Sequence, residues 1–510
     1  MVYEPRPKAF FNYEYNKIEY IVNRREIRHN RSMKIHFIGI GGIGVSALAR
    51  YYLARGHTVS GSDLVETEIT QALKEKGAII SIGPHQAGNV PFNADRAIYS
   101  PAVQRTNPER EEAERIGERR SGAARVDLSS ESKNHFAVLS YPEAVGELTK
   151  SHYVVAVSGT HGKSTTTAMI GLILERAGLD PTVIVGTKVR EFGNSNCRIG
   201  NNGYLRNGKP ILVLEADEHF ASFLNYSPDL IVLTTIEADH LDYYKNLTNI
   251  LRAFRTYILR LPQDGIIVAN KDDKNVFDVV ASSKHLVQYY SAKWTAAEEL
   301  RKILQVPGEY NVANAHAALT AARALGVQDK VSFQALGAFR GTWRRFETFE
   351  LEQPVRYTLV SDYGHHPTEV RVTVGAARAK WPKNELWLVF QLHQYQRTYF
   401  FFRDFESILA RLPVDKLILA DIYDVVGREE DAIRQKVSAE KLAQGIQKRK
   451  GRKLAETVLW IPTIDGIYDY LQQNLKGEEI VMVMGAGDIY NLTLRLTQGK
   501  SRTLEGEITS

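Results

Sequence analysis

The sequence predicts an α/β protein with three domains and mostly parallel sheets. Apolar, β-branched runs alternate with segments of helical spacing, which is the pattern of strand–helix–strand units. Two of these runs lead into glycine turns, and several others end in clusters of polar side chains. A length of 510 residues agrees with three domains at roughly 150 residues each. We place an N-terminal extension at 1–32 and domains at 33–150, 151–346 and 347–510.

The composition is that of an ordinary globular protein, with 44% hydrophobic and 24% charged residues. The net charge of +6 is mild for this length, so small anionic ligands account for it and no nucleic acid is required. A single cysteine, Cys197, excludes an intramolecular disulfide and suits a reducing cytoplasm. No segment approaches the roughly 18 apolar residues of a membrane span, and residues 1–32 lack the apolar core of a secretory signal. We therefore expect a cytoplasmic protein that is not inserted in a membrane.

The first domain opens with a strand, a glycine turn and a helix. An apolar run at 33–38 leads into Gly39, Gly41 and Gly42, and helical spacing follows. Such glycines let the backbone approach a diphosphate, and the helix N-terminus faces its charge. A second strand ends at Asp63, where a carboxylate accepts hydrogen bonds from a ribose. The pattern predicts a nucleotide diphosphate and leaves open whether the ligand is NAD or a nucleotide-sugar.

Towards the end of this domain, residues 116–138 are rich in charge and serine and show no clear periodicity. Stretches of this kind are typical of solvated loops between elements. We therefore expect an inserted surface loop over this part of the chain.

The central domain begins with a β-branched run at 154–157 that turns through glycine into Lys163 and four hydroxyl residues. This order predicts a strand, a phosphate loop and a helix N-terminus that binds a nucleoside triphosphate. Lys163 adds positive charge, and Ser164 and Thr165 offer hydroxyls to a phosphate-bound Mg²⁺. The usual loop has a glycine five residues before Gly162, so this loop is shortened. A tight turn without a ligand does not account for the lysine and the hydroxyls.

Two later strands of this domain end in acidic clusters, at 215–218 and 237–242. The carboxyl ends of parallel strands meet at one edge of a sheet, where ligands bind. A nucleoside triphosphate brings about four negative charges, so these acids make sense if Mg²⁺, or Mn²⁺ as an alternative, bridges them to phosphate. Glu215 is the first choice as a ligand, Glu218 the second, and His240 suits a second metal. The alternative is a solvated acidic cluster.

Two further pairs of residues suit a nucleotide site. Asn311 and Asn314 are three residues apart, on one face of a predicted helix, where their amides can bind an adenine edge. Ordinary helix capping is the alternative. Arg344 and Arg345 follow a turn at Gly341 and can clamp a transferring phosphoryl group. A solvated arginine pair is the alternative here.

The last domain repeats the pattern of a strand followed by a polar cluster. A strand ending near residue 361 leads into Asp362, Tyr363 and two histidines, and a buried strand at 386–390 leads into a second cluster at 391–398. Packing alone does not need polar side chains at this density, so we expect a binding site. Similar strands near 416 and 480 predict a doubly wound domain.

Taken in order, these motifs resemble those of the Mur ligase family, and most closely its alanine-adding branch. The match runs from Met33 to about Asn491 and omits the N-terminal extension and the expected insertion. The segments that carry the resemblance are 36–42, 159–167, 215–218, 237–240, 311–314, 344–346 and 362–370.

The resemblance implies an N-terminal Rossmann-like domain that binds the UDP of a nucleotide-sugar, a central phosphate-loop domain that binds ATP and Mg²⁺, and a C-terminal Rossmann-like domain that brings an amino acid. It implies an ATP-dependent ligase of peptidoglycan precursor synthesis that acts in two steps. The lactyl carboxylate of UDP-N-acetylmuramate takes the γ-phosphoryl group of ATP, giving an acyl phosphate and ADP. The amine of L-alanine then displaces phosphate.

The resemblance also implies the roles of the site residues. The UDP-sugar site comprises Gly39, Gly41, Gly42, Ser62, Asp63 and His85. The ATP site comprises Gly159, Thr160, His161, Gly162, Lys163, Ser164, Thr165, Asn311, Asn314, Arg345 and Asp362. The metal ligands are Ser164, Glu215 and His240, and the amino-acid site comprises Tyr363, His365, His393 and Arg397. The catalytic residues are Lys163, His240 and Arg345.

Two features bear on the acceptor. The alanine-adding pattern has His-Arg-Tyr, whereas this chain has Gln394 between His393 and Tyr395, which leaves Arg397 as the bidentate partner of a carboxylate. Several related ligases carry a modified lysine about fifteen residues after the metal histidine, and Phe254 stands in that region here, as in the alanine-adding branch. A ligase that adds a ready-made murein tripeptide stays open as the alternative.

Two other classes fit less of the sequence. A nicotinamide-dependent oxidoreductase would use the first glycine turn but leave the phosphate loop and the acids without a role. A non-catalytic nucleotide-binding protein does not account for Lys163, Glu215 and His240 together. We expect small-molecule substrates and a monomer or homodimer.

Overall fold

The computed structural model describes residues 32–124, 136–425, 431–450, 456–498 and 502–503. The described strands form three separate sheets, one in each expected domain. This arrangement confirms the predicted α/β class with mostly parallel sheets. The N-terminal extension lies outside the described residues apart from Ser32. No helix within the described ranges combines the length and the apolar character needed to span a membrane.

The described sheet of the N-terminal domain has five parallel strands in the order β3-β2-β1-β4-β5. The strands are β1 (Lys34–Ile38), β2 (Thr58–Asp63), β3 (Ile79–Ile82), β4 (Arg96–Tyr99) and β5 (Ala137–Ser140). The helices are α1 (Ile43–Ala54), α2 (Glu68–Glu75), α3 (Pro108–Ala124) and α4 (Tyr141–Thr149), with a 3₁₀ turn at Ala87–Asn89. The strand order reverses at β1, so the glycine turn after β1 lies at the crevice where such sheets bind ligands.

The prediction of a surface loop at 116–138 is wrong for the described parts of this stretch. Helix α3 covers the first part of it, and β5 covers the last. Ala113 and Ile116 share one helical face and pack in a buried cluster with Phe136. This apolar face is too narrow to stand out in so charged a sequence. Residues 125–135 of the predicted loop lie outside the described residues.

The described sheet of the central domain has eight strands, in the order β13-β12-β11-β6-β10-β7-β8 with β9 beside β10. The strands are β6 (Tyr153–Ser158), β7 (Thr182–Val189), β8 (Ser195–Arg198), β9 (Leu205–Arg206), β10 (Lys209–Glu215), β11 (Leu230–Leu233), β12 (Ile266–Asn270) and β13 (Leu286–Tyr290). The helices are α5 (Lys163–Arg176), α6 (Leu241–Tyr244), α7 (Leu247–Ile258), α8 (Lys274–Val280), α9 (Thr295–Ile303), α10 (Glu309–Ala324) and α11 (Asp329–Ala338), with 3₁₀ segments at Arg190–Phe192 and His219–Asn225. Strands β8 and β9 pair antiparallel with their neighbours, and the other pairs are parallel.

Apolar packing covers both faces of the central sheet and joins it to the N-terminal domain. One buried cluster runs from Leu48 of α1 through Leu214 of β10 to Phe254 of α7. A second cluster fills the opposite face, with Ile170 of α5 and Leu319 of α10. Strand β6 is buried along its whole length between these clusters, which explains its continuous β-branched run. The carboxyl ends of the strands are left as the edge that can meet a ligand.

The described sheet of the C-terminal domain has seven strands in the order β18-β17-β16-β19-β15-β14-β20. The strands are β14 (Glu347–Leu351), β15 (Tyr357–Asp362), β16 (Leu386–His393), β17 (Lys416–Tyr423), β18 (Val458–Trp460), β19 (Ile480–Met484) and β20 (Arg502–Thr503). The helices are α12 (Pro367–Lys380), α13 (Tyr395–Phe400), α14 (Phe402–Arg411), α15 (Asp431–Arg434), α16 (Ala439–Lys450), α17 (Ile464–Asn474) and α18 (Tyr490–Thr497). Strand β14 is antiparallel to both neighbours, and the other pairs are parallel.

Two helical glycines differ in the space around them and give a test of this packing. A Cβ on Gly146 of α4 would lie 2.5 Å from the backbone oxygen of Asn225, whereas a Cβ on Gly375 of α12 would meet no atom of the described part of the chain within 4 Å. Alanine favours a helix over glycine by about 1 kcal/mol, but overpacking against a rigid backbone costs about 1–3 kcal/mol. We expect Gly146→Ala to lower the melting temperature and Gly375→Ala to raise it, as measured by calorimetry. Shifts of the same sign in both variants would contradict this packing.

Candidate active site

The phosphate loop joins the end of β6 to the start of α5. Gly159 and Gly162 have φ angles of +135° and +83°, which side chains rarely adopt. A Cβ on Gly159 would collide with Thr234, and one on Gly162 would collide with Asn314. The loop therefore lies tightly against α10, which brings Asn314, an expected adenine ligand, to the positive N-terminus of α5.

Lys163 is the first residue of α5 and lies among the acidic strand ends. Its Nζ donates to Glu218 Oε2 and to the Gly159 carbonyl, both at 2.7 Å, and lies 3.7 Å from Asp217 Oδ1. Burial alone would lower the pKa of Lys163, but the carboxylates of Glu218 and Asp217 raise it above its usual value. The ammonium group is therefore held in its charged form beside the phosphate loop.

Glu215 ends β10 and faces the start of α5. Its Oε1 accepts a hydrogen bond from the Ser164 hydroxyl at 2.9 Å, and its Oε2 accepts one from the Gly186 N–H at 2.6 Å. Burial raises the pKa of Glu215. A carboxylate beside a hydroxyl supplies the oxygen ligands that Mg²⁺ prefers, and both residues are among those predicted to bind the metal.

A second group of metal-ligating side chains comprises Asp217, Glu218 and His240, whose ligand atoms all lie within 4.8 Å of one another. Glu218 is buried, and its Oε1, which has no hydrogen-bond partner among the described residues, lies 4.0 Å from His240 Nε2. Burial raises the pKa of Glu218, although the Lys163 ammonium opposes this shift. A bound cation would satisfy the unpaired oxygen and reduce the repulsion among these acids, so the residues present fit a divalent metal ion.

Asn311 and Asn314 lie on one buried face of α10, which begins after Gly308. The Asn311 amide donates to the Pro307 carbonyl at 2.7 Å, and the Asn314 amide donates to Asn311 Oδ1 at 3.4 Å. Both residues lie inside the helix, so the capping alternative does not describe them. Their amides form a polar surface directly behind the phosphate loop.

Side chains from two domains meet around His161 of the phosphate loop. His161 Nε2 lies 3.5 Å from Glu237 Oε2, and Nδ1 lies 3.4 Å from Glu369 Oε1 of α12. Glu237 also accepts from the Thr368 hydroxyl at 2.7 Å, and Glu369 accepts from Arg345 Nη1 at 3.3 Å. Burial alone would lower the pKa of His161, but the two carboxylates raise it to about 9. A protonated imidazole thus links the loop to the C-terminal domain.

The two adjacent arginines before β14 take different directions. Arg344 is buried, donates to the Gly485 carbonyl at 2.5 Å and lies 4.5 Å above the Tyr490 ring. Both guanidinium groups lie near the Tyr363 ring, at 5.0 and 5.1 Å, but Arg345 Nη1 donates to Glu369 Oε1 at 3.3 Å, the oxygen that lies beside His161 of the phosphate loop. Arg344 therefore anchors this connection in the C-terminal domain, and Arg345 is the arginine that faces the nucleotide side.

Asp362 is buried at the end of β15. Its two oxygens accept from the backbone N–H groups of Phe346 at 2.8 Å and Gly364 at 2.7 Å. Burial raises the pKa of Asp362. The carboxylate therefore fixes two chain turns together, the one that carries Arg345 and the one that carries Tyr363.

The residues predicted to bind the amino acid lie around Arg397 of α13. Its Nε and Nη2 both donate to Asp239 Oδ1 at 3.2 Å, and its Nη1 donates to His393 Nδ1 at 3.3 Å. Asp239 Oδ1 also accepts from the His240 N–H at 2.7 Å. Burial alone would raise the pKa of Asp239, but Arg397 lowers it well below its usual value. One ionised carboxylate thus connects His240, a predicted metal ligand, to the predicted acceptor site.

A recess opens beside this arginine, and its walls include Asp239, His240, Gln394, Arg397, Phe400 and Phe401. The rings of Tyr363 and His365 lie 5.4 Å apart, and those of His365 and His393 lie 5.6 Å apart. Burial, reinforced by Arg397, lowers the pKa of His365 to about 3. The structure therefore gathers the predicted amino-acid-binding residues into one cluster.

In the N-terminal domain, the end of β2 holds the glycine turn. The Ser62 carbonyl accepts from the N–H groups of Gly39 at 2.9 Å and Ile40 at 3.0 Å. Asp63 Oδ2 accepts from the Gly41 N–H at 2.8 Å. The carboxylate predicted to bind a ribose therefore also fixes the turn that is predicted to face a diphosphate.

The predicted site residues thus form two groups, one around the phosphate loop and the acceptor recess and one at the edge of the N-terminal sheet. Sequence reasoning gave no individual role to four acids that organise these groups, namely Glu109, Glu237, Asp239 and Glu369, although Glu237 and Asp239 belong to the acidic cluster expected near a metal ion. Glu369 carried one usable signal, because it follows His366 at the spacing of a helix capping box. The partners of the other three acids are distant in sequence, so no local pattern identifies them.

Groups suited to binding phosphate, metal and acceptor come from successive α/β domains, as expected of an ATP-dependent ligase. The chain belongs to the Mur ligase family. Family profiles match it in three successive segments, described as the catalytic domain of the family at 34–126, the Mur ligase middle domain at 157–322 and the glutamate ligase domain at 344–487.

Relatives match nearly the whole chain. The UDP-N-acetylmuramate–L-alanine ligase of Acetivibrio thermocellus is 35% identical in an alignment 489 residues long that covers 91% of this chain and 95% of that protein. The ligase of the same name from Clostridium tetani is 36% identical over 90% of this chain and 96% of that protein. The crystal structure of the Thermotoga maritima UDP-N-acetylmuramate–alanine ligase has a TM-score of 0.69 and 25% identity, and the match covers 91% of this chain and 98% of that one. A murein peptide ligase from Psychrobacter arcticus, 22% identical with a TM-score of 0.62, shares the fold.

The link between His161 and the two glutamates predicts a stability that depends on pH. Since its pKa rises from about 6.5 in the unfolded chain to about 9 in the folded protein, His161 stabilises the fold fully below pH 6.5 and loses this effect as pH rises through 9. We expect His161→Gln to be less stable than the wild type by roughly 3 kcal/mol near pH 6, with the difference in melting temperature closing by about pH 10.

Two outcomes test the cause of this pH dependence. In a Glu237→Gln background, the difference in stability that His161→Gln produces should close at lower pH, because one of the two carboxylates that raise the His161 pKa is missing. A difference in melting temperature that stays constant from pH 6 to pH 10 would contradict a protonated His161.

Proposed function

We propose that this protein joins L-alanine to the lactyl carboxylate of UDP-N-acetylmuramate in peptidoglycan precursor synthesis, with conversion of ATP to ADP and phosphate. The observation that carries the proposal is the extent of the likeness, because relatives of that name share 35% identity over 91% of the chain. The site geometry supplies suitable groups for both halves of such a reaction.

In the first half, a lactyl carboxylate oxygen bonds to the γ-phosphorus of ATP, the bond to the β-phosphate oxygen breaks, and an acyl phosphate and ADP result. Both reactants are anions, so their approach needs positive charge from the protein. Lys163, the N-terminus of α5 and Arg345 supply it. Asn311 and Asn314 behind the loop hold the adenine, and Asp362 positions the arginine.

Mg²⁺, with Mn²⁺ as an alternative, would be held by Ser164, Glu215 and His240, with Glu218 as a further ligand. The unpaired Oε1 of Glu218 and the Ser164–Glu215 pair fit such an ion. When bound, it neutralises phosphate charge and polarises the phosphoryl group. Lys163 keeps Glu218 in place from the side of the phosphate loop.

In the second half, the amine of L-alanine bonds to the acyl carbon, the carbon–phosphate oxygen bond breaks, and phosphate and a proton leave. Arg397 binds the carboxylate of the amino acid, and Asp239 and His393 fix the guanidinium plane. His365 stays neutral at physiological pH because its pKa is about 3, so it adds no second cation beside the amine. Tyr363 closes the same cluster.

The proposed UDP-sugar site lies at the glycine turn after β1. The N-terminus of α1 and the backbone of Gly39, Gly41 and Gly42 face the diphosphate. Ser62, Asp63 and His85 lie beside this turn and bind the nucleotide portion. This assignment gives the fingerprint a nucleotide-sugar ligand in place of NAD.

Turnover with defined acceptors tests the proposal. Purified protein with ATP, Mg²⁺ and UDP-N-acetylmuramate is assayed for ADP release and for the amide product with L-alanine, L-serine, glycine or a murein tripeptide. We expect L-alanine to give the highest kcat/KM. Turnover with the tripeptide alone would keep the ATP chemistry and overturn the acceptor.

Matched lysine variants provide the controls. Lys163→Met removes the buried ammonium and should lower kcat by about 10³-fold, since transition-state charge stabilisation of this kind contributes several kcal/mol. Lys293→Met changes a lysine whose side chain is 83% exposed and should leave kcat unchanged. Equal activity of the two variants would show that ADP release comes from a contaminant.

Glu215→Gln tests the metal ligands. Losing one anionic oxygen should lower kcat by about 10²-fold and raise the Mg²⁺ concentration needed for half-maximal activity, because the bound ion contributes several kcal/mol of charge stabilisation. Glu440→Gln, on the exposed surface of α16, serves as the matched control. An unchanged Mg²⁺ requirement in Glu215→Gln would remove Glu215 from the metal site.

A further inference from the structure

Glu109 is a fully buried carboxylate in the first turn of α3, in a part of the chain that the sequence patterns left without a role. Its Oε1 accepts from the Asn89 amide at 2.6 Å and lies 3.2 Å from His85 Nδ1. Its Oε2 accepts from the Ser62 hydroxyl and lies 3.5 Å from His36 Nε2. Every neighbour named here offers a donor, so the carboxylate has the partners that a buried charge requires.

Two of these partners, Ser62 and His85, belong to the proposed UDP-sugar site. They also contact each other, with Ser62 Oγ 3.2 Å from His85 Nδ1. The Ser62 carbonyl in turn holds the glycine turn through the N–H of Gly39 at 2.9 Å. Glu109 therefore lies behind both the nucleotide-binding side chains and the turn that faces the diphosphate.

The ionised state of Glu109 fixes where the protons of its neighbours lie. Burial alone would raise the pKa of Glu109, but hydrogen bonds from His36, Ser62 and Asn89 lower it to about 2. An ionised carboxylate can only accept, so the Ser62 hydroxyl hydrogen points at Oε2. The contact of His85 Nδ1 with an acceptor then places a proton on Nδ1. Glu109 thereby fixes the direction of the Ser62 lone pairs and of the His85 Nε2 atom before a ligand binds.

We infer that Glu109 is a positioning residue of the UDP-sugar site, which orients Ser62 and His85 from behind and acts on binding of the nucleotide-sugar rather than on the ATP chemistry. The inference rests on the proposed function for the identity of the ligand. It assigns to α3 a part in substrate binding.

A purely structural role in starting α3 is the competing explanation, and the chain offers a control for it. Asn107 Oδ1 caps the same helix by accepting from the N–H of Glu109 at 3.0 Å and of Arg110 at 3.3 Å. Asn107→Ala should weaken the start of the helix, seen as a lower melting temperature, and leave the carboxylate in place. It therefore separates loss of helix stability from loss of the charge.

The test compares Glu109→Gln, Glu109→Asp and Asn107→Ala with the wild type in the full-length protein. Glu109→Gln keeps the shape of the side chain but replaces one carboxylate oxygen with an NH₂ group, which donates and would face neighbours that also donate. We expect its KM for UDP-N-acetylmuramate to rise about tenfold, as for loss of one charged hydrogen bond, with kcat and the KM for ATP within about twofold. Glu109→Asp should recover part of the affinity, and Asn107→Ala should lower the melting temperature with an unchanged KM.

Binding of UDP, measured by calorimetric titration without ATP, makes the outcome independent of turnover. If the wild type binds UDP but releases no ADP with any acceptor, the proposed function fails. The inference about Glu109 is still decided by the ratio of the UDP affinities of Glu109→Gln and the wild type. A ratio near one, or an equal loss of affinity in Asn107→Ala, overturns it. In a double variant with His85→Ala, the two losses should not add, because Glu109 acts through His85.

Discussion

Neutralisation of negative charge at the strand ends of the central sheet is the constraint on which the rest of the site depends. Lys163 places a positive charge among the carboxylates of Glu215, Asp217 and Glu218. Burial keeps the pKa values of Glu215 and Glu218 raised, so the Lys163 ammonium offsets only part of the negative charge of these carboxylates. The site is therefore organised to take up further positive charge together with an anionic nucleotide.

The requirement to balance charge also links the central domain to the C-terminal domain. His161 belongs to the phosphate loop, and its charge is stabilised by Glu237 on its own domain and by Glu369 on α12. Since Glu369 also accepts from Arg345, the loop, the connection between the domains and the C-terminal domain share one set of charges. A change of charge at the loop must alter the free energy of contact between the two domains.

Most of the fold could be predicted because its signals are local. The β-branched run of β6 and the glycine turn after it are each set by neighbouring residues, and they were predicted in the right places. Helix α3 was missed because its apolar face is narrow among many charges. The acids that organise the sites were missed for another reason, since Glu109 lies 47 residues from Ser62 and Asp239 lies 158 residues from Arg397. Only the tertiary fold brings such partners together.

In the proposed acceptor site, the ion pair between Arg397 and Asp239 constrains how an acceptor carboxylate can be bound. Arginine has five N–H donors; Asp239 accepts one from Nε and one from Nη2, and Nη1 donates to His393 Nδ1 at 3.3 Å and to Gln394 Oε1 at 3.5 Å. The ion pair has no net charge, and Gln394 adds none where the family pattern has an arginine. In the proposed acceptor site, directed hydrogen bonds therefore carry more of the recognition of a carboxylate than net charge does. Phe400, at the end of α13, lines the recess beside this arginine and is placed to limit the bulk of the acceptor.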